Sequence, residues 1–300
     1  MIDMENLATK FKPYRTYKPS GIDWLGDVPK QWQVNRLKNV KARKKFAIVD
    51  GPFGTQLGTP DYLDEGIPLI RVADLDFNGQ LILKDPVFIS EEKWEELIRS
   101  AIYPDDIVVA KTGATIGKSG IVPKHIDKAL IASSCIKISL DKEKIFPLFL
   151  NHVMTSKYVQ EQIINLAGGS TRDTININPF STIIISLPPL PEQQAIAEFL
   201  DRQTGKVDAL IAKLERLVEL LQDKRIALIS QTVTRGLDPT VPMTDSGIEW
   251  LGEIPVQWEV KRLKFTSDIV YSNADKLTNE GEIPIKLCNY TDESTAISSN

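Results

Sequence analysis

Three glycine-containing loops hold the side chains of this sequence that are best suited to contacts with phosphates or nucleobases. The first, KTGATIGKSG at residues 111–120, has most of the pattern of a phosphate-binding loop. That pattern requires four residues between its glycines and a helix after them, whereas three residues separate Gly113 from Gly117 and the following IVPKHID does not begin a helix. The spacing therefore predicts a glycine-rich turn after a buried strand. Four of its side chains would still suit nucleic-acid phosphates: Lys111, Thr112, Thr115 and Lys118.

The other two loops combine glycine with aromatic and polar side chains. DGPFGTQLGTPDY, at residues 50–62, contains Phe53, Thr55 and Gln56 among glycines that allow a ligand to come close to the backbone. A glutamine side chain also pairs well with adenine. GGSTRDTININ, at residues 168–178, offers hydrogen-bond donors for phosphates or base edges: Ser170, Thr171 and Arg172. Each stretch would equally suit an ordinary turn or a solvated loop, and the sequence leaves that choice open.

The charge distribution fits a nucleic-acid partner better in the first part of the chain than in the last. The net charge is −4, yet residues 1–190 carry 24 Lys and Arg against 22 Asp and Glu, whereas residues 238–300 carry 5 against 11. A dense basic run lies within residues 36–45. Such charges can serve phosphates or form a solvated surface. We add three cations to the candidate nucleic-acid contacts: Lys44, Lys45 and Arg71.

Signatures of catalysis and of metal binding are scarce. His125 and His152 are the two histidines, and neither has metal-ligand spacing or an evident nucleophile partner. NPF at residues 178–180 lacks the second proline of the Asn-Pro-Pro-aromatic motif of amino-methyltransferases. A nuclease-like Pro-Asp followed by Glu-x-Lys, within residues 60–93, is a loose pattern that often arises by chance. We therefore predict no catalytic residue, no cofactor and no metal.

Short apolar runs separated by turn residues predict the elements that position these loops. Strands are predicted at residues 46–49, 68–72, 81–83, 107–110, 120–122, 129–140 and 183–187. Helical patterns interrupt them at residues 90–100 and 147–166. Strands and helices do not alternate regularly, so we predict an α+β domain with a mixed β-sheet rather than a doubly wound fold.

Residues 192–230 have the pattern of one long coiled-coil helix. Gly205 is their only glycine, they contain no proline, and apolar residues recur at heptad spacing. The rod would be about 58 Å long at 1.5 Å per residue. Such a seam needs a partner, and these 300 residues offer no second helix of this kind. The predicted interface consists of Ile196, Leu200, Val207, Leu210, Leu214, Leu217, Leu221 and Leu228.

A stretch of 19 residues occurs twice, at an offset of 226 residues. SGIDWLGDVPKQWQVNRLK begins at Ser20 and SGIEWLGEIPVQWEVKRLK begins at Ser246, with 13 identical positions. The offset is far longer than a solenoid repeat, so the repeated unit is a whole domain. We expect a first domain over residues 1–190, a spacer helix over 191–237, and the start of a second, similar and incomplete domain over 238–300.

Together these motifs resemble the DNA-specificity subunit of type I restriction–modification systems. The resemblance rests on SGIDWLGDVPKQW, DGPFGTQL, IPLIRVADL, AKTGATIGKSGIVP, GGST…INP, LPPLPEQQAIAEFLD and the heptad segment, which occur in order along nearly the whole chain. It implies two target recognition domains, each followed by a spacer helix, and each reading one half of a split site on double-stranded DNA. It also implies that modification subunits dock on this scaffold and methylate adenine, while restriction subunits add ATP-driven translocation and cleavage. The specificity subunit itself would be no enzyme. The sequence departs from the family's pattern in its incomplete second domain and missing second helix.

One alternative stays open from the residues alone, which is a coiled-coil protein-interaction scaffold that binds no DNA. The unpaired seam also predicts a homodimer of this chain. MIDMENLATKFK at the N-terminus lacks the apolar region of a signal peptide, and no apolar run reaches the ~18 residues of a membrane span. We therefore expect a cytoplasmic protein without a membrane partner. Cys135 and Cys288 are interpreted as incidental thiols in a reducing compartment.

Overall fold

The computed structural model describes residues 13–53, 56–168 and 173–268. Contacts divide the chain into two units, residues 1–212 and 213–300, and the division falls inside one long helix. In chain order, the strands are β1 (Tyr17–Pro19), β2 (Asp27–Pro29), β3 (Gln33–Arg36), β4 (Ile48–Asp50), β5 (Ile67–Ile70), β6 (Val87–Ile89), β7 (Ala101–Ile102), β8 (Ile107–Ala110), β9 (Ser119–Ile121), β10 (Ala129–Ile131), β11 (Cys135–Ile138), β12 (Ile184–Leu187), β13 (Met243–Asp245) and β14 (Glu253–Pro255). The α-helices are α1 (Glu91–Glu96), α2 (Pro147–Thr155), α3 (Lys157–Leu166), α4 (Ile177–Ser181) and α5 (Leu190–Arg235).

Two four-stranded sheets form the body of the first unit. One has the strand order β4-β11-β8-β9, and each neighbouring pair is antiparallel. The other has the order β6-β5-β10-β7, in which β5 and β10 run parallel. Every residue of β8 is buried, which explains why its sequence, IVVA, is an uninterrupted apolar run. The predicted α+β class with a mixed sheet is confirmed.

The main core lies between the antiparallel sheet and helices α2 to α4. Ile107, Val109 and Ile136 from the sheet pack in one cluster with Phe149 of α2 and Phe180 of α4. Fully burying a side chain of this size contributes ~1.5–3 kcal/mol relative to leaving it exposed. These contacts hold β8 and β11 in place, and the polar loop at residues 111–118 leaves the end of β8.

One predicted strand is absent, another is two strands, and both predicted helices differ from the prediction, whereas the other predicted strands are found within one or two residues of their expected bounds. Residues 81–83 form no strand, because Leu81 makes a single bridge to Leu75 and the strand of this region is β6. The predicted strand 129–140 is two strands in different sheets, separated by a turn in which the Cys135 N–H donates to the Ala132 carbonyl at 3.0 Å. The first predicted helix ends at Glu96, and the second is divided between α2 and α3.

The buried amide of Gln193 attaches the first turn of α5 to the body of the unit. Its Oε1 accepts the Phe146 N–H at 2.8 Å, and its Nε2 donates to the carbonyls of Lys144 at 3.1 Å and Pro188 at 2.8 Å. The residue is 0% exposed, as is Ala197 one turn later. The start of the long helix is therefore fixed by buried polar contacts as well as by apolar packing.

The carboxylate of Glu192 makes a second attachment beside the first. Its Oε1 accepts hydrogen bonds from the Tyr14 hydroxyl and, at 3.0 Å, from the Trp32 indole N–H. Burial, reinforced by this carboxylate, raises the pKa of Tyr14 to about 12. Trp32 belongs to the first copy of the repeat, so the repeat contacts the beginning of the helix.

The repeated stretch folds as the same hairpin in both units. β1 pairs with β2 and β13 pairs with β14 in the same antiparallel register. Gly21 and Gly247 occupy matching turn positions with φ of 76° and 70°, a left-handed conformation that favours glycine. Ser20 Oγ accepts the N–H two residues later at 3.1 Å, and Ser246 Oγ does the same at 3.2 Å. The duplication read from the sequence is therefore a structural duplication as well.

Among the residues that the structure describes, we find no helix with the length and hydropathy needed to cross a lipid bilayer.

Candidate nucleic-acid interface

The first two glycine-containing loops leave the antiparallel sheet at the same edge. β4 and β8 each run antiparallel to β11, which lies between them, so both end where β11 begins. The Gly51 N–H donates to the Cys135 carbonyl at 3.1 Å, and the Lys111 N–H donates to the Ser134 carbonyl at 2.8 Å. The loop after Asp50 and the loop after Ala110 are thereby held on either side of one strand.

The third loop returns to this edge at its C-terminal end. The Gly113 N–H donates to the Asp173 carbonyl at 2.8 Å, and the Ile175 N–H donates to the Lys111 carbonyl at 2.9 Å. Thr55, Ser170, Thr171 and Arg172 lie outside the described residues, so their candidate contacts stay predictions. The described ends of all three loops nevertheless meet, and we call this surface the loop edge: residues 51–53, 56, 111–118 and 173–175.

Close backbone packing fixes Gly51 at the start of the loop edge. A Cβ atom at this position would lie 2.1 Å from the Ala132 carbonyl oxygen. The Ala132 N–H in turn donates to the Ile70 carbonyl at 2.9 Å, which brings the end of β5 beside the loop edge. Glycine is required here by the approach of a neighbouring backbone, not by an unusual φ angle.

Arg71 follows β5 close to the loop edge, but its side chain is already engaged. Its Nη2 donates to the Asp85 carbonyl, and its Nε lies 3.9 Å from Asp74 Oδ2. Burial raises the pKa of Asp74. The guanidinium is thus held in place by these partners while the side chain stays 29% exposed.

In the loop at residues 111–118, three backbone N–H groups are used within the turn itself. The N–H of Gly117 donates to the Ala110 carbonyl at 3.0 Å, and those of Ile116 and Lys118 donate to loop carbonyls at 2.9 and 3.1 Å. These donors are thus unavailable for phosphate, in agreement with the prediction of a glycine-rich turn. The Thr115 hydroxyl donates within the loop, and Thr112 Oγ1 is buried.

Lys118 presents its ammonium group beside an exposed aromatic ring. Its Nζ lies 5.6 Å from the centroid of Phe77, and that phenylalanine is 50% exposed. A lysine over an aromatic face can still turn its charge to solvent, because cation–π contacts at exposed sites contribute only ~0.5–1 kcal/mol. Among the candidate cations in the loop at residues 111–118, Lys118 is the one placed to meet a phosphate.

Lys111 is placed differently. Its Nζ forms an ion pair with Asp50 Oδ2 at 3.0 Å, and both side chains are 9% exposed. The other oxygen of Asp50 accepts from Arg99 Nη2 at 3.0 Å. Lys111 Nζ also lies 4.8 Å from the ring centroid of Phe53, which is 54% exposed. Asp50 and Arg99 were not among the predicted site residues, although Asp50 is the first residue of the second loop motif.

Lys44 and Lys45 lie at the opposite end of the sheet from the loop edge. They precede β4, whereas the loop edge follows it, and Lys44 Nζ lies 5.6 Å from the ring centroid of Tyr103, which precedes β8. Both lysines are exposed. The structure therefore does not bring this basic run together with the glycine-containing loops.

The predicted helix interface divides into a covered part and an exposed part. Ile196 packs against the core cluster of the first unit, and Leu200 is half-buried. The other six are each about half exposed: Val207, Leu210, Leu214, Leu217, Leu221 and Leu228. Ile211 and Val218, which follow two of the heptad positions by four residues, are also exposed and were missed by the heptad search. A further apolar position per heptad is typical of a helix that packs in a bundle.

The buried cysteine has no feature of a reactive thiol. Cys135 is 0% exposed, and burial raises its pKa to about 12. A thiol with a raised pKa is a poor nucleophile. Cys288 lies outside the described residues.

A family model for the "Type I restriction modification DNA specificity domain" matches residues 29–220. The chain belongs to this family. The match includes the described parts of the loop edge and the first part of α5. The family membership inferred from the motifs is confirmed.

Two similar proteins are specificity subunits of restriction enzymes. The chain is 26% identical over 246 residues to the type I restriction enzyme EcoKI specificity subunit of Escherichia coli K12. The aligned residues cover 81% of this chain and 49% of that protein. The chain is 29% identical over 231 residues to the StySPI specificity subunit of Salmonella potsdam, covering 75% of this chain and 47% of that protein. The chain thus spans about half the length of these relatives.

A solved structure shows the same fold. It concerns the structural basis of complex assembly and conformational transition of the type I R-M system. The similarity has a TM-score of 0.54 at 19% identity and covers 76% of this chain and 49% of the other.

Proposed function

We propose that this chain is a sequence-specific DNA-binding specificity subunit of a type I restriction–modification complex, and that its first domain reads one half of a bipartite site. The observation that carries the proposal is the convergence of the glycine-containing loops on one edge in a member of a DNA-specificity family. Side chains of the loop edge would contact base edges, and Lys118 would help position the domain on phosphates. The chain itself would perform no catalysis.

The proposal assigns one role to each of three parts of the chain. Residues 1–190 form the recognition domain, residues 191–237 the spacer, and residues 238–300 begin a second recognition domain. Exposed apolar residues between Val207 and Leu228 support a role of the helix in assembly. They would pack against a second spacer helix or, for this chain alone, against the helix of another copy. Modification subunits would dock on the remaining faces and restriction subunits would join through the complex, in the cytoplasm.

A titration of duplex DNA against the 300-residue chain over a range of salt concentrations tests the proposal. Each phosphate contact releases counterions, so log K should fall with log salt with a slope of about −0.9 per contact. Lys118→Ala should reduce the slope by ~1, whereas Lys124→Ala, at an exposed lysine outside the loop edge, should leave it unchanged.

A protein-interaction scaffold without DNA binding is the alternative, and the family match favours it less. It predicts no salt-dependent binding to duplex DNA, alone or with modification subunits, together with normal assembly through the helix. That pair of results would replace the proposed function by the scaffold.

A further inference from the structure

Phe53 is an exposed large hydrophobic side chain on the loop edge, and its position is controlled from beneath. The ring is 54% exposed, and Lys111 Nζ lies 4.8 Å from its centroid. The lysine side chain is 9% exposed, so its ammonium group faces the ring and Asp50 rather than solvent. This geometry separates the residue that can touch a ligand from the residue that supports it.

The support is itself anchored to two strands and a short connection. Asp50 ends β4, and Lys111 follows β8, so their 3.0 Å ion pair joins the starts of two loops. Arg99 binds the second carboxylate oxygen at 3.0 Å, and the Ser100 hydroxyl donates to the Asp50 carbonyl at 3.0 Å. A buried carboxylate with both oxygens engaged has little freedom to move. It therefore gives the ammonium group of Lys111 a fixed position under the ring.

Two cations share this one carboxylate. Arg99 and Lys111 both pair with Asp50, and the Arg99 side chain is 45% exposed. The cluster consequently has a net positive charge whose accessible part is the guanidinium. That sign suits a polyanion nearby, while the buried ammonium group remains out of reach of a phosphate.

Gln56 is less well prepared than Phe53 for reading a base. The side-chain Oε1 of Gln56 accepts the backbone N–H of Phe53 at 3.1 Å, and the backbone N–H of Gln56 donates to the Phe53 carbonyl at 3.1 Å. Bidentate pairing with adenine uses both the oxygen and the nitrogen of the amide. Because the side-chain oxygen already accepts the hydrogen bond that holds the loop, Gln56 serves to position Phe53.

We infer that Phe53 is a specificity-determining residue that contacts the 5-methyl group of a thymine in the major groove, and that Lys111, held by Asp50, is the residue that positions it. The inference rests on the proposed function. Phenylalanine is among the side chains that make apolar contact with the thymine methyl group. Lys111, a candidate phosphate contact from its sequence, is assigned instead to the support of this ring.

The test compares thymine with deoxyuridine, which differs from it by that methyl group. A randomised duplex library first selects the preferred sequence of the wild-type chain, with and without modification subunits. Each thymine of that duplex is then replaced by deoxyuridine. At one position the replacement should weaken wild-type binding about fourfold, the equivalent of ~0.8 kcal/mol for one buried methyl-sized group.

The variants assign the effect to residues. Phe53→Ala should bind the thymine and deoxyuridine duplexes equally at that position, with an unchanged salt slope. Lys111→Met should lose the same discrimination, Lys111→Arg should retain part of it, and Lys124→Met should behave as the wild type. The double variant Phe53→Ala/Lys111→Met should bind the two duplexes equally, as Phe53→Ala does, because both changes remove the same contact.

Three results would overturn the inference. If Phe53→Ala still discriminates thymine from deoxyuridine, Phe53 does not contact the base. Because Phe53 is exposed, this variant is expected to fold. Equal loss of affinity for every sequence in Phe53→Ala would indicate non-specific stacking. A salt slope lower by ~1 in a folded Lys111→Met with discrimination intact would make Lys111 a phosphate contact. Absence of any selected sequence in the wild type, with or without its partners, would instead refute the proposed function.

Discussion

Replacing Gln193 by Ala should destabilise the first unit more than any other polar substitution in the first turns of α5. The amide makes three hydrogen bonds to backbone groups and is 0% exposed. Truncation leaves the Phe146 N–H and the Pro188 carbonyl without these partners, and each unsatisfied buried group costs ~1–3 kcal/mol. Alanine is the better helix former, so helix propensity does not add to the loss. We expect the free energy of unfolding to fall by about 3–5 kcal/mol, including the space left by the side chain.

The adjacent residue provides a matched control. Gln194 is exposed, and Gln194→Ala should change the free energy of unfolding by less than ~0.5 kcal/mol. Urea unfolding can be followed by tryptophan fluorescence, because Trp32 lies against Glu192 and reports on this junction. If the two alanine variants unfold at the same urea concentration, the buried amide does not hold the helix and the reasoning is wrong.

Three further substitutions test other parts of the structure. Gly51→Ala would place a Cβ atom 2.1 Å from a backbone carbonyl oxygen, so the Tm of this variant should fall by ~10 °C or more. The control Gly58→Ala, whose Cβ atom would meet nothing closer than 3.5 Å, should have nearly the Tm of the wild type. Similar Tm values for the two variants would contradict the close approach. Burial lowers the pKa of Lys137 from 10.5 to about 8, so between these pH values the unfolded chain binds one more proton than the folded chain. The free energy of unfolding of the wild type should therefore rise with pH relative to that of Lys137→Met, by up to ~1.4 kcal/mol per pH unit. A difference between the two proteins that stays constant in urea unfolding from pH 7.5 to 9.5 would refute this. The double variant Leu214→Asp/Leu217→Asp should form no homodimer in light scattering and should assemble poorly with modification subunits, while its first unit stays folded. A strictly monomeric wild type would refute the homodimer. Normal assembly of the variant would refute the role of the helix as a scaffold.

Local patterns in the sequence were sufficient to predict the long helix and to find the duplicated stretch, which the structure shows as a hairpin. Heptad spacing without proline between residues 192 and 230 is a local pattern typical of a helix, and the structure extends that helix only slightly, to Leu190–Arg235. The two copies of the repeat share their turn glycines, Gly21 and Gly247, so the same backbone conformation follows in both. In each case the determining contacts lie close together in the sequence.

The wrong strand at residues 81–83 shows where local reasoning fails. The Asp76 side chain accepts the N–H groups of Asn78 at 2.9 Å and Gln80 at 2.8 Å, which closes a tight turn. After that turn, Leu81 pairs back with Leu75 in one bridge, and no ladder develops. A short apolar run such as Leu-Ile-Leu does not show whether a partner strand lies beside it.

The site was predicted as a set of loops but not as one surface. The loops after β4 and β8 meet because β11, which comes later in the chain, pairs with both strands. The same pairing puts Lys44 and Lys45 at the other end of the sheet, although they are close to Phe53 in sequence. The burial of Lys111 against Asp50 depends on that pairing too, so neither residue could be given its position from spacing alone.

The most direct test of the central claim is to map methylated adenines in cells that carry the modification subunits with either of two specificity chains. One is this chain, and the other has residues 1–190 replaced by the corresponding domain of a relative such as the Escherichia coli EcoKI specificity subunit. If the first domain reads one half of a bipartite site, the exchange should change the sequence of that half in every methylated site, and of both halves if two copies of this chain pair. An identical methylation pattern with both chains would contradict the assignment of DNA specificity to this domain.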